Sequence, residues 1–279
     1  MMVRSPLKRR QRPHSRRLRR LRGLSVNALI PNAVTVMGLC AGITAIRFAI
    51  SERWELSVGL IFLAAIIDGL DGRIARVLKA SSEFGAQLDS LSDFVCFGVA
   101  PALVLYLWTL NAGAGMGWTV SLLFAVCMAL RLARFNASLG DPDREIWASY
   151  FFVGAPAPAS SGIVLVPMIL SFEFGDTILR EPLLVAIYTI CVSLLTVSTI
   201  PMFSGKGLKL RHQHLLPVLL LVGLLFTLMV GYPWYTLSLL IIGYICTIPF
   251  SIRSHRRYKA RALENTGEMA EDSVDTPEA

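Results

Sequence analysis

Apolar residues gather into eight runs, each near the roughly 20-residue length at which a helix crosses a bilayer. They fall at about 31–50, 55–78, 92–111, 117–136, 155–172, 183–203, 214–231 and 234–252. The second and fourth runs carry charges at their ends, so hydropathy alone scores them short. Connections such as Asn111–Gly117 leave no room for a separate soluble domain, and no internal repeat is visible. The pattern predicts an all-α polytopic membrane bundle of about eight transmembrane helices.

Composition agrees with that prediction. The 279 residues are 54% hydrophobic and 16% charged, against about 25% charged in a soluble domain, and the mean hydropathy is +0.58. Charge tests the span count independently through the positive-inside rule. With a cytoplasmic amino terminus and eight spans, every Lys and Arg except Arg47, Arg53 and Arg180 falls on the cytoplasmic side. An odd count would scatter this segregation. Residues 1–24 form a basic arm with ten Lys and Arg, from Arg4 to Arg22. It runs into the first span without a convincing signal-peptide cleavage site. No aromatic residue interleaves its arginines, so anionic lipid headgroups suit it and nucleic acid does not, each basic residue contributing about 1 kcal/mol. The tail at 254–279 turns acidic beyond Glu264 and lacks apolar periodicity, as disordered segments do. The five cysteines (Cys40, Cys96, Cys127, Cys191, Cys246) sit apart in apolar stretches and read as small buried hydrophobes.

The candidate chemistry sits at the end of the second run. Asp68 and Asp71 are three residues apart and share a helix face, with Ala75 one turn on. Asp89 and Asp93, four apart, share another, with Gly85 one turn before them and leading into the third span. A single aspartate could cap a helix or pair with Arg73 or Arg76. Four at helical spacing beside a membrane core are costly and read as functional. Two such helices facing each other converge four hard oxygen ligands, a set suited to Mg²⁺ or Mn²⁺, and a pair of ions could clamp a pyrophosphate. Gly72, Ala75 and Gly85 lie on the same faces. They leave room for a nucleotide, although close helix packing also uses small residues.

The string D-x2-D-G-x2-A-R-x8-G-x3-D-x3-D, from Asp68 to Asp93, is similar at every fixed position to the signature of the CDP-alcohol phosphotransferases. The resemblance covers roughly 25–210 and implies a six-helix core that holds two divalent metals and CDP. Carried over by position, it makes Asp68, Asp71, Asp89 and Asp93 metal ligands, with Asp93 also the general base on the acceptor hydroxyl. Gly72, Ala75, Arg76 and Gly85 would contact CDP. Asn32 and Thr35, behind Pro31 taken as the start of the first helix, would join them. The chain then divides into the arm, a catalytic core at 25–212, two further helices at 213–253 and the tail.

The motif does not choose the acceptor. Phe84–Asp93, Phe97–Ala102, Arg131–Asn136 and Tyr150–Ala159 resemble the phosphatidylserine-forming branch. That branch implies CDP-diacylglycerol and L-serine as substrates. Arginine grips a carboxylate through two parallel hydrogen bonds, so Arg131 and Arg134, with Asn136, are candidate acceptor ligands, and Lys206 is a candidate cation for phosphate. Glycerol 3-phosphate, inositol phosphate and choline stay open as acceptors. A membrane prenyltransferase fits less well, because its acids would form two separated clusters. A cation-coupled transporter would show paired halves. The resemblance also implies a homodimer, and the compartment expected is a bacterial inner membrane with the site facing the cytoplasm.

Overall fold

A single-chain span must satisfy its own backbone polar groups, and the helix does so within one segment. The computed structural model describes residues 26–78, 82–138, 151–153, 155–198, 201–203, 215–248 and 250–251. The basic arm, the acidic tail and Lys206 lie outside them. Helix α1 runs Val26–Ile50 and α2 Trp54–Val77. Helix α3, Glu83–Asp93, is capped by Ser82, whose side chain accepts the Gly85 N–H at 3.0 Å. The same rod continues through a π-helical segment, Phe94–Val99, into α4, Ala100–Trp108. Then come α5 (Ala114–Ser138), α6 (Ala157–Val164), α7 (Val166–Phe174), the single turn α8 (Asp176–Leu179), α9 (Pro182–Val197) and α10 (Leu215–Gly231). The last is α11, Pro233–Ile248. One antiparallel ribbon pairs β1 (Phe151–Val153) with β2 (Pro201–Phe203), Phe152 opposite Met202.

Among the described residues, three helices are long and apolar enough to cross a membrane, and a fourth span is gained if the bent pair α6–α7 counts as one. Helices α9, α10 and α11 are apolar but shorter. Large apolar side chains such as Met37, Ile66 and Leu122 point outward, as lipid-facing residues do. The chain is an all-α integral membrane protein.

Four boundaries differ from the sequence reading. The first helix starts at Val26, so Pro31 lies inside it and does not open it. The third rod begins at Glu83, not near 92, and holds Asp89 and Asp93 within it. Its acids depress local hydropathy, and the Ser82 cap and packing against α1 hold that stretch as helix. The fifth run is broken, with a 42° bend between α6 and α7. Pro167 has no N–H to give the Ile163 carbonyl four residues back. The Tyr188 hydroxyl of α9 donates to that carbonyl instead, at 2.8 Å. The sixth helix stops at Val197, and residues 201–203 are strand. Proline at 201 disfavours a helix before it.

Helix α1 lies along α2, and α5 along α9, with the π-helical segment between α1 and α5. Two glycines permit that centre. A Cβ on Gly42 would stand 2.5 Å from Cys96 Sγ, and one on Gly98 would stand 3.1 Å from Met128. Phe97, Phe124, Met128 and Leu165 fill the core around them, each fully buried.

Candidate active site

Helices α2 and α3 face each other through their acids. One carboxylate oxygen each from Asp68, Asp71 and Asp89 lie within 4.8 Å of one another. Asp71 is buried, and the Thr35 hydroxyl of α1 fixes it by donating to Oδ2 at 2.8 Å. That hydroxyl also reaches the Pro31 carbonyl at 3.1 Å, so its one proton is shared. Asp93, one turn further along α3 from Asp89, is within hydrogen-bonding reach of Asp68. Asp68 and Asp93 line a space of about 10 Å³ with Thr35 and Ser92.

The fit to divalent cations can be tested on these residues. Among the described residues Arg180 and Asp176 form a salt bridge, and none of the four acids makes one. Three carboxylates this close, in a segment held among membrane helices, repel strongly unless a cation stands between them. An all-oxygen donor set suits Mg²⁺ or Mn²⁺. The residues therefore fit such ions, with Asp68, Asp71 and Asp89 as the convergent set and Asp93 beside it.

A cavity of about 270 Å³ opens next to the acids. All six residues assigned to the nucleotide line it: Asn32, Thr35, Gly72, Ala75, Arg76 and Gly85. Pro31, Ser82 and Ala86 line it too. The two glycines differ in kind. A Cβ on Gly85 would stand 2.8 Å from Asn32 Oδ1 and 3.1 Å from Ser82 Oγ, so a larger residue there must push both side chains aside. A Cβ on Gly72 would meet nothing within 4 Å among the described residues, and the space beside it is the cavity. Arg76 Nε donates to its own Gly72 carbonyl at 3.0 Å, which turns the guanidinium along the cavity rim.

The three acceptor candidates separate. Arg131 is buried at 8% exposure, and among the described residues its Nε has no hydrogen-bond partner. Arg134 donates to the Val197 and Ser198 carbonyls at 2.8 and 3.1 Å, closing the end of α9. Asn136 Nδ2 donates to Ser90 Oγ at 2.9 Å and ties α5 to α3. Sequence reasoning passed over Ser82 and the bond from Thr35 to Asp71. A serine just before the helix that starts at Glu83 is an N-cap signal and could have revealed the first. Nothing local reveals the second, which joins residues 36 apart.

Membrane helices that converge aspartates able to hold a cation beside an open cavity point to a membrane phosphotransferase, and the comparisons name that class. The CDP-alcohol phosphatidyltransferase family model matches residues 28–229, and the chain belongs to that family. The match runs past the expected core boundary at 212, and the model described as CDP-alcohol phosphatidyltransferase 2 matches 214–249. Among relatives, a CDP-diacylglycerol–serine O-phosphatidyltransferase of Mycobacterium tuberculosis is 40% identical over 84% of this chain and 82% of its own length. The protein of the same name from Mycobacterium leprae is 38% identical over 88% and 79%. That of Helicobacter pylori is 34% identical over 71% and 81%.

Proposed function

We infer that this chain transfers the phosphatidyl group of CDP-diacylglycerol to the hydroxyl of L-serine, giving phosphatidylserine and CMP. The observation that carries the reading is the convergence of Asp68, Asp71 and Asp89 beside a cavity lined by every residue assigned to CDP. Curated relatives with this activity cover most of the chain.

The reaction forms a bond from the serine oxygen to the lipid-side phosphorus and breaks the bond from that phosphorus to the CMP oxygen. Two Mg²⁺ or Mn²⁺ ions bound by the aspartates would neutralise the pyrophosphate and the departing CMP charge. Asn32, Gly72, Ala75, Arg76 and Gly85 would seat the cytidine and phosphates. Thr35 holds Asp71 in orientation. Asp93 would accept the serine hydroxyl proton. Arg131 would be the acceptor's cation: among the described residues its buried Nε has no partner, and such a group is costly until an acceptor meets it. Arg134 and Asn136 hold the end of α5 and so keep Arg131 in place, and any direct contact they make with serine comes after that task.

The charge segregation supports eight spans with both termini and the site on the cytoplasmic side of a bacterial inner membrane. The basic arm would rest on anionic headgroups, and the family resemblance supports a homodimer.

The test is CMP release from CDP-diacylglycerol by purified protein with Mn²⁺ or Mg²⁺. Serine, glycerol 3-phosphate, inositol phosphate, choline and no acceptor are compared. Serine-dependent release is expected, and Asp93→Asn should lower kcat at least about 100-fold. Release with a different acceptor would overturn the serine assignment and leave the metal site standing.

A further inference from the structure

A second cavity, of about 290 Å³, lies between α5 and the rod that runs from α3 into α4. Phe94 and Leu130 line one end, Trp118 the other, and Val99 and Ala125 the stretch between. Every lining residue except Ser121 is aliphatic or aromatic. Trp118 and Leu130 are twelve residues apart on α5, about 18 Å at the helical rise. One leaflet of a bilayer's hydrocarbon core, half of its roughly 30 Å, is about 15 Å deep. The groove therefore has the length of one acyl chain laid along the helix.

A hydrogen bond fixes which way the groove runs. Asn136 Nδ2 donates to Ser90 Oγ, next to Asp89, so the carboxyl end of α5 lies with the aspartates. Ser121 comes fifteen residues earlier, about 22 Å along the helix. At this far end Trp118 and Tyr106 stand edge to face at 5.2 Å. Rings with a polar tip gather where hydrocarbon meets headgroup.

Ser121 is the polar group in this wall. It is 2% exposed, and among the described residues its hydroxyl has no hydrogen-bond partner. A buried hydroxyl without a partner destabilises the protein that carries it. A bare hydrocarbon chain would leave it so, and a chain that ends in an ester carbonyl would not. Helical side chains lean toward the amino terminus, which carries this hydroxyl toward Trp118 and the level of lipid esters.

We propose that the groove binds one acyl chain of a diester phospholipid from the leaflet opposite the aspartates, its ester carbonyl accepting a hydrogen bond from the Ser121 hydroxyl. This lipid is not the reacting substrate, because its ester lies about 22 Å from the end that holds the acids. Phe94 and Val99 belong to the π-helical segment that follows Asp93. The far end of the bound chain thus packs on the rod that carries Asp89 and Asp93 and stiffens it.

The test uses the full-length protein, purified in detergent and stripped of lipid, with dioleoyl phosphatidylcholine or its diether analogue added back. Native mass spectrometry counts the lipid held per chain, and a melting curve follows stability. The parent should hold one diester lipid and bind the diether about tenfold more weakly, as the loss of one buried hydrogen bond implies. Ser121→Ala should bind the two alike. Without lipid it should melt no lower than the parent, having lost a hydroxyl that had no partner. Ala125→Trp fills the groove and should abolish retention of the diester; if that variant does not fold, the diester-to-diether ratio in the parent and Ser121→Ala decides alone. Equal binding of the two lipids by the parent overturns the proposal, as does an unchanged ratio in Ser121→Ala. A lipid-free parent dimer that Ala125→Trp splits would show that a second copy of the chain fills the groove, and would overturn it too.

Discussion

At the scale of single residues, what separates a group that serves the fold from one that serves a ligand is whether the protein itself supplies its partner. Asn32 and Ser82 occupy the space beside Gly85; Gly72 has open space. Gly85→Ala should therefore lower the melting temperature in detergent and activity together. Gly72→Ala should melt as the parent does and raise the KM for CDP-diacylglycerol, which kinetics beside a melting curve would show. Thr35 is divided between cavity wall and support for Asp71. Losing such an orienting bond typically costs about 10- to 100-fold in metal affinity. Thr35→Val should raise the Mn²⁺ concentration for half-maximal CMP release by that factor, and an unchanged metal titration would show the bond to be idle. The aspartates and the small residues between them were legible from spacing alone, since residues three or four apart on a helix share a face whatever surrounds them. The tasks of Arg134 and Asn136 were not legible. Each is decided by what the other end of its hydrogen bond belongs to, α9 carbonyls for one and Ser90 for the other.

At the scale of elements, two interruptions shape the bundle. The π-helical segment follows Asp93 directly and leads into Pro101, so the acids sit on a regular helix whose continuation is re-aimed. Such segments are frequent at functional sites. The bend at Pro167 is the second. Its freed Ile163 carbonyl is buried among membrane helices and has the Tyr188 hydroxyl as its donor. Tyr188→Phe should leave the carbonyl unsatisfied and destabilise by about 1–3 kcal/mol. The expected readout is a lower melting temperature with both KM values unchanged, because α6 and α9 meet there away from the aspartates. A melting curve identical to the parent's would mean that another group, or water, already satisfies Ile163. Neither interruption follows from hydropathy, since an apolar run with a proline can be a straight helix, a kinked one or two helices. The neighbours that repair the break determine which.

At the scale of the whole molecule, the acids connect stability to ligand. Three carboxylates held within 4.8 Å on α2 and α3 should drive those helices apart when no cation is bound. Mn²⁺ at about 100 times its dissociation constant would stabilise the native state by about 2.7 kcal/mol. The parent should therefore melt higher in Mn²⁺ than in EDTA, and Asp71→Asn should shrink the difference. Equal melting in both, with activity still metal-dependent, would mean that metal arrives only with CDP-diacylglycerol. The sequence by itself determined that this chain enters a membrane and that Asp68, Asp71 and Asp89 belong together. Each of those depends on local composition or on helical periodicity, which a one-dimensional pattern carries. Only the tertiary structure decided that Thr35 holds Asp71, that Arg134 closes α9, and that α11 sets Ile241 beside Gly162 of α6. These are contacts between residues far apart in the chain, and they exist only because helices pack glycine to side chain and leave particular groups face to face.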